Sequence, residues 1–386
     1  MQRSFYSLVA SGAALIACCY GFARFAYGLF TPVLTEEFGL SSTLVGIIAA
    51  GSYVGYCVAI MASATLTRRL GPRLVAIGAG VVATSGMTMV ALAPSAWLLA
   101  VGVLVAGSST GIASPPLAAA VAHRIRGAAG DRAQTIVNAG TGVGVLVSGP
   151  IAFALFDQWR LAWGVYAVIA AVTTIWVAFS VGDASDSTVD PVQVQRWRTG
   201  SFGLVVAALL TGLGSITVWS FGRDQISTGG SASIAVASIA WMVLGAAGIA
   251  GAFGGDLAQR IGLRHAWVGT TLAMSCATVV LAIAPWSIVA IMLSVSIFGA
   301  AYIGLTGLLL VWSTRVYPDS PSLGVGLSFF MIALGQALGA PTAGALIDAH
   351  GATATFILFA MTGATAAVVR PVTAAATTTA SLDRQH

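Results

Sequence analysis

In this 386-residue chain the side chain best placed to do chemistry is Arg24. It lies inside a long apolar run, and Tyr20, Arg24, Tyr27 and Thr31 follow i, i+4, i+7, i+11 spacing, which gathers them on one polar helix face. An ionised group retained in apolar surroundings costs on the order of several kcal/mol, so it is read first as functional. A guanidinium at such a place has two readings. It contacts an anionic solute, or it snorkels to the outer surface and pairs with a boundary acid such as Glu36, Glu37 or Asp224.

Other polar groups recur at helical spacing. Gln134, Asn138, Thr141 and Ser148 occupy i, i+4, i+7 and i+14, and serve either as interhelical glue or as the lining of a wet cavity. Thr211, Ser215 and Trp219 step by four, Tyr302, Thr306 and Ser313 mark a later run, Tyr53 and Tyr56 an earlier one, and Gln336 is an isolated amide. From these the candidate solute-binding set is Arg24, Tyr20, Tyr27, Tyr53, Asn138, Ser215, Trp219, Tyr302, Thr306 and Gln336. Their aromatics also suit plain packing. Gly149-Pro150 and Gly339 with Pro341 mark candidate hinges, since proline frees a carbonyl and kinks a helix; close helix packing explains small residues equally well.

Absences narrow the chemistry further. No Asp or Glu lies deep in an apolar run, with Asp157, Asp224, Asp256 and Asp348 all at run ends, and His123, His265, His350 and His386 are peripheral. An intramembrane proton relay normally uses such groups, and a strongly cationic solute would find no counter-charge. No nucleophile–base pair or metal cluster forms at depth, so no enzyme activity, metal or cofactor is expected. Cys18, Cys19, Cys57 and Cys276 sit in apolar runs without metal-ligand spacing. All 17 basic residues are Arg, so a Walker-type Gly-Lys phosphate loop is impossible.

The elements that position these residues follow from composition. Apolar residues make up 58% of the chain and charged ones 8%, against about 25% charged in a soluble globular chain, so the protein belongs in a membrane. A span needs about 20 apolar residues. Windows of that length predict helices near 8–30, 43–66, 74–93, 96–121, 134–156, 161–181, 202–222, 233–255, 266–284, 286–312, 323–347 and 353–370. Arg24 then lies about 16 residues into the first span, roughly 24 Å from its start. An even count puts both termini on one side. That side holds 14 of the 17 arginines, while Arg160 and Arg223 fall in or beside loops on the other, so both termini are expected to be cytoplasmic. The net charge of +5 is therefore a topology signal, and no nucleic-acid partner is expected.

The polar stretch 182–200 falls at mid-chain, and the halves on either side repeat. Gly71 and Gly262, Arg73 and Arg264, Pro94 and Pro285, Arg124 and Arg315, Pro150 and Pro341, and Asp157 and Asp348 all stand 191 residues apart. Gly12/Gly203, Gly21/Gly212 and Gly144/Gly335 keep the same register, and Ser215 is the repeat counterpart of Arg24. Residues 64–73 align with 255–264 without a gap. The loop Leu66-Thr-Arg-Arg-Leu-Gly-Pro-Arg73 resembles the cytoplasmic signature of the major facilitator superfamily, with a second copy ending at Arg264. Ser148-Gly149-Pro150 is similar to part of that superfamily's antiporter-associated motif in helix 5, and Gly21-Phe-Ala-Arg-Phe-Ala-Tyr27 with Pro32 resembles the first helix of its YbfB-like branch. The signature Asp is Arg68 in one copy and Gln259 in the other, and Val101 and Val103 stand where the family usually has an Arg near the start of helix 4. The usual charge relay is therefore not implied.

The resemblance implies an all-α membrane protein of twelve transmembrane helices in two pseudo-symmetric six-helix bundles, 1–181 and 201–386, joined by a cytoplasmic linker, 182–200, with a short cytoplasmic tail. It implies a monomeric secondary transporter of the plasma membrane that rocks around a midplane site. Arg69, Gly71, Arg73, Asp256, Arg260, Gly262 and Arg264 would form its cytoplasmic gating loops. The charge inventory favours a small organic anion, with the proton a candidate coupling ion; proton-coupled efflux of hydrophobic drugs or metabolites is the alternative. Orientation is checked by reporter fusions: a fluorescent protein on the C-terminus is expected to fluoresce and a phosphatase there to stay inactive, with the reverse pattern for insertions between residues 92 and 95.

Overall fold

Long apolar runs in a bilayer must satisfy their backbone within the segment, so they become helices. The computed structural model describes residues 2–125, 128–182, 197–229, 232–251, 254–318 and 320–371. Eleven helices are long and apolar enough to cross a membrane: α1 (Tyr6–Phe38), α2 (Ser42–Ser63), α3 (Thr65–Ala91), α4 (Ala96–Val121), α5 (Ala133–Ala154), α6 (Phe156–Ser180), α7 (Ser201–Gly229), α8 (Ile234–Gly251), α9 (Leu263–Ile283), α10 (Ile288–Val316) and α11 (Leu323–His350). A shorter apolar helix, α12 (Ala352–Val368), follows. Each answers to one predicted span. Most of the stretch 182–200 lies outside the described residues, as do Arg126, Arg196 and Arg384.

Local chemistry sets the helix ends. At the end of the bundle away from the termini, Ser41, Ser95, Ser233 and Ser287 accept hydrogen bonds from the backbone N–H groups of Leu44, Leu98, Val236 and Ala290, capping α2, α4, α8 and α10. At the termini end, Gly71 (φ 81°, ψ 158°) kinks the run from Ser42 to Ala91 near the start of α3. Gly262 (φ 84°, ψ 147°) does the same before α9, and the matching dihedrals at an offset of 191 show that the repeat is one of backbone shape. Arg73 Nε donates to the carbonyl of Ala178 at 2.8 Å and Arg124 Nη1 to that of Ser180 at 3.1 Å. These two signature-side arginines thus close the orphan carbonyls at the end of α6, where the helix dipole favours a cation. Arg68, Arg69, Asp256, Arg260 and Arg264 are exposed.

The repeat recurs in the packing. A Cβ on Gly21 of α1 would lie 2.4 Å from the Cα of Gly144 on α5, and one on Gly335 of α11 would lie 3.2 Å from the Cα of Gly212 on α7. The α1–α5 and α7–α11 crossings therefore use glycines that are repeat counterparts, because a side chain at either place would push the backbones apart. Within the first six helices α1 packs on α4, α5 and α6; within the last six α7 packs on α11 and α12, and α10 on α8 and α9.

The halves meet along two seams, α2 with α11 and α5 with α8. Backbones touch there too. A Cβ on Gly46 would meet the carbonyl oxygen of Ala340 at 2.2 Å, one on Gly344 that of Ser42 at 2.1 Å, and one on Gly245 the backbone nitrogen of Leu146 at 2.4 Å. Gly28 of α1 approaches Trp219 of α7 in the same way, with the carbonyl at 2.0 Å from its would-be Cβ. At the end away from the termini the seam is tied by Asp348 on α11. Its carboxylate accepts from the backbone N–H groups of Ser42 (3.0 Å) and Thr43 (2.8 Å) and from the Thr43 hydroxyl (2.6 Å). A carboxylate from one half thus caps a helix N-terminus of the other. Nearby, Glu37 pairs with Arg160 at 2.6 Å and accepts from Trp159 Nε1 at 2.5 Å.

Asp348 is therefore a latch on this end. With Cys18, Cys19, Cys57 and Cys276 replaced and a single cysteine placed at the buried position of Ala340, Asp348→Ala is expected to raise labelling by a membrane-impermeant maleimide several-fold; unchanged labelling would mean that the glycine contacts alone hold the seal.

Candidate functional site

The site is built from α1 outward. Between Ala17 and Phe25 the helix widens from α to π geometry, a departure from the uniform α-helix that periodicity predicts. With i→i+5 bonding, a four-residue step falls just short of one turn, so Tyr20 and Arg24 both still reach the bundle centre; such π stretches are frequent at functional sites. Gly21, within the stretch, sits against the α5 backbone.

Arg24 is 6% exposed. Its Nη2 donates to Oε1 of Gln336 on α11 at 2.5 Å, joining the two halves through the side chains at their centre. Gln336 in turn donates from Nε2 to Tyr302 Oη (3.2 Å) and to Ser215 Oγ (3.4 Å). Four rings surround the guanidinium carbon, with centroids at 4.6 Å for Tyr53, 4.8 Å for Tyr56, 5.2 Å for Phe25 and 5.7 Å for Tyr20. Each such contact contributes about 0.5–2 kcal/mol, yet none supplies a negative charge. Arg24 Nε is buried without a hydrogen-bond partner. Among the described residues no carboxylate pairs with Arg24. Glu37 is held by Arg160 and Trp159, Asp224 accepts from Thr228 at 2.9 Å, and Glu36 is exposed.

A second aromatic layer lies behind the cage. Phe25 stacks on Trp219 at 3.9 Å, and Trp219 stands edge-on to Tyr302 (5.2 Å), Phe298 (5.8 Å) and Trp241 (5.9 Å). Trp219 Nε1 is also buried without a partner. The centre therefore holds a cation with a spare N–H, an indole with a spare N–H, and flat apolar faces. Chemically, such donors can meet hydrogen-bond acceptors, and the rings can meet flat apolar surface.

Of the ten residues that the sequence offers as solute-binding, the structure gathers Arg24, Tyr20, Tyr53, Ser215, Trp219, Tyr302 and Gln336 around one point. The other three make their hydrogen bonds elsewhere. Tyr27 donates to the carbonyl of Val45 at 3.2 Å, Asn138 accepts from Gln134 Nε2 at 3.2 Å on its own helix, and Thr306 donates back to the carbonyl of Ile303 at 2.7 Å. Tyr56 and Phe25 complete the cage although the candidate set omits them. Phe25 adjoins Arg24 in sequence and lies off the i, i+4 face that the candidate set follows. Arg223, expected in or beside a loop, is 2% exposed within the bundle.

The candidate hinges are contact points between helices. Gly149 admits Met242 of α8, whose Cγ would lie 2.3 Å from an added Cβ, and Gly339 admits Ile216 of α7 at 3.0 Å. Helices α5 and α11 run on through Pro150 and Pro341. Ser148 works as glue, accepting from Trp241 Nε1 at 3.2 Å while its carbonyl accepts from Tyr166 Oη at 2.8 Å.

This architecture is shared with solved transporters. A mutant form of the nucleoside transporter NupG superposes with a TM-score of 0.77 at 12% identity, covering 95% of this chain and 98% of that one. A bacterial homologue of the human lysosomal transporter Spinster, in an inward-facing and occupied conformation, gives 0.73 at 14% identity over 95% and 94%. The fold, of long apolar helices, is thus shared with these two transporters. Among curated proteins, the transcription regulatory protein OpdE of Pseudomonas aeruginosa is 26% identical over 370 residues, 90% of this chain and 89% of that protein. Residues 16–373 match the family model described as uncharacterised MFS-type transporter YbfB, and the chain belongs to that family.

Gln336→Glu puts a counter-ion where Arg24 now has a neutral amide. It is expected to raise the melting temperature in detergent by tying the halves with an ion pair. Gln336→Leu leaves Arg24 without its acceptor and should destabilise by about 1–3 kcal/mol.

Proposed function

We propose that the protein moves a small organic anion across the plasma membrane by alternating access, with both termini cytoplasmic and the bundles 1–181 and 201–386 as the rocking units. The observation that carries this reading is Arg24, a buried cation at the joint of the two halves that has a neutral amide and four rings as neighbours and no described carboxylate. A solute carboxylate or similar group would pair with Nε and Nη2 in the bidentate way that guanidinium favours, displacing Gln336 from one of them. Binding would then loosen the Arg24–Gln336 bond between the halves, which is the differential contact that a substrate needs to shift a two-state equilibrium. Arg69, Gly71 and Arg73 with Asp256, Arg260, Gly262 and Arg264 are proposed to gate the termini side, and the glycine seams α2–α11 and α5–α8 are the surfaces that would part at the opposite end.

A second reading, proton-coupled efflux of hydrophobic drugs or metabolites, draws on the aromatic layer of Phe25, Trp219, Phe298 and Tyr302 and on Ser148-Gly149-Pro150. Among the described residues the buried charged side chains are Arg24 and Arg223, both cations, so no buried carboxylate or histidine is available there to carry a proton. The nucleoside specificity in NupG's name suggests a neutral class to include in any screen.

The test is uptake into proteoliposomes of radiolabelled anionic, neutral (nucleosides included) and cationic solutes, with and without a pH gradient, for wild type and Arg24→Ala. Uptake confined to anions and reduced at least about 100-fold in the variant is expected, the scale of a lost charge-assisted contact with its partner left unpaired. Transport of lipophilic cations that depends on the pH gradient and survives Arg24→Ala would overturn the anion reading.

A further inference from the structure

The repeat is broken where the two seams reach the end away from the termini. At α2–α11 the seam is shut. A Cβ on Gly344 would overlap the carbonyl of Ser42, and one turn further on Asp348 accepts from the N–H groups of Ser42 and Thr43 and from the Thr43 hydroxyl. At the offset of 191 the counterpart of Gly344 is Phe153, that of Asp348 is Asp157, and those of Ser42 and Thr43 are Ser233 and Ile234. Duplication alone would therefore have Asp157, at the start of α6, cap α8 as Asp348 caps α2.

That cap is not made. Helices α5 and α8 are still in contact at Gly149, the counterpart of Ala340, whose added Cβ would overlap Met242 and lie 3.4 Å from the carbonyl oxygen of Ser238. One turn further on there is an open cleft of about 220 Å³, walled by residues 153–158 of the first half and Ile234 of the second. Asp157 is exposed and, among the described residues, has neither a hydrogen bond nor an ion pair. Ser233 caps its own helix by accepting from the N–H of Val236 at 3.3 Å, and the N–H groups of Ile234 and Ala235, at the first helical positions, have no acceptor within α8.

The physical difference is one side chain. Where glycine lets α11 meet α2 backbone to backbone, Phe153 puts a ring at the corresponding place on α5, and it is 52% exposed as part of the cleft wall. Closing the cleft to the spacing of the other seam would drive that ring into α8. Ile234 also lacks the hydroxyl with which Thr43 gives Asp348 its third bond, so the duplicate contact has less to gain from closing.

We propose that Phe153 is a wedge that keeps a second latch, between Asp157 and the start of α8, from closing, so that this end of the protein is latched on one side alone. The α2–α11 seam then acts as the pivot and α5–α8 as the edge that parts. This last consequence rests on the alternating access proposed above; the wedge itself does not depend on the solute.

The test combines thermal unfolding with hydrogen exchange read by mass spectrometry, on the purified full-length protein in detergent. In wild type, Asp348→Ala is expected to lower the melting temperature by a few degrees and Asp157→Ala to leave it unchanged, while the peptide that opens α2 exchanges several-fold more slowly than the one that opens α8. In Phe153→Gly the start of α8 should become protected, and adding Asp157→Ala should then lower the melting temperature and remove the protection. This coupling is the signature, because the packing and helix propensity lost with the phenyl ring cancel in the double-mutant cycle. Additive effects of the two substitutions would overturn the proposal, as would a wild-type protein that loses as much stability with Asp157→Ala as with Asp348→Ala. Should Phe153→Gly fail to fold, the wild-type comparison decides: slow exchange at the start of α8 that Asp157→Ala abolishes means a latch already closed and overturns the wedge, whereas fast exchange indifferent to Asp157→Ala upholds it. Either result leaves the anion reading standing, since that is tested by uptake and rests on Arg24.

Discussion

The hydrogen bond from Arg24 to Gln336 is the contact on which the arrangement turns. It is made between helices of opposite halves, in a place without solvent, by a cation that has a neutral amide for acceptor and no described carboxylate. Everything near it serves to make that charge tolerable. The four rings lower its cost, Gln336 is itself held by Ser215 and Tyr302, and the π turn of α1 delivers Tyr20 and Arg24 together to the centre. A fold concerned with stability alone would place an apolar side chain here, since replacing buried charge with packing is commonly neutral or stabilising.

Glycine makes this geometry reachable. Gly21 with Gly144 and Gly212 with Gly335 let α1 and α7 cross their partners at backbone contact, so that helices bearing Arg24 and Ser215 lie side by side at the axis. Across the seams, Gly46, Gly245 and Gly344 let the halves meet without interdigitated side chains. Such smooth contacts give up little packing when they separate. The polar contact at Asp348, made to exposed backbone N–H groups at a helix end, can exchange its bonds for water at small cost.

The two halves match in backbone and differ in charge. Arg24 has Ser215 as its counterpart, and Arg223 has Pro32. The duplicated frame thus carries two cations at different depths, one at the joint of all the central helices and one nearer the sealed end, while the described acids remain at the helix ends.

The sequence by itself determined the helices and their repeat. Charge content of 8%, twelve apolar runs and rare residues recurring at one offset are properties of composition and spacing, and lipid leaves such runs no alternative to helix. It also picked out Arg24, because a charge within an apolar run is costly wherever the helix goes. Only the tertiary structure decided what surrounds that charge. Helical spacing placed Tyr27 with Arg24, while packing turned its hydroxyl to Val45; Phe25, one residue from Arg24 and off the polar face, joined the cage. Arg223 looked like a loop residue because it ends an apolar run, and the continuation of α7 to Gly229 carried it inside. Position along a helix is a local property, set by residues a few places apart; which face meets which neighbour depends on helices hundreds of residues away, as with Arg24 and Gln336, and that information exists only once the chain has folded.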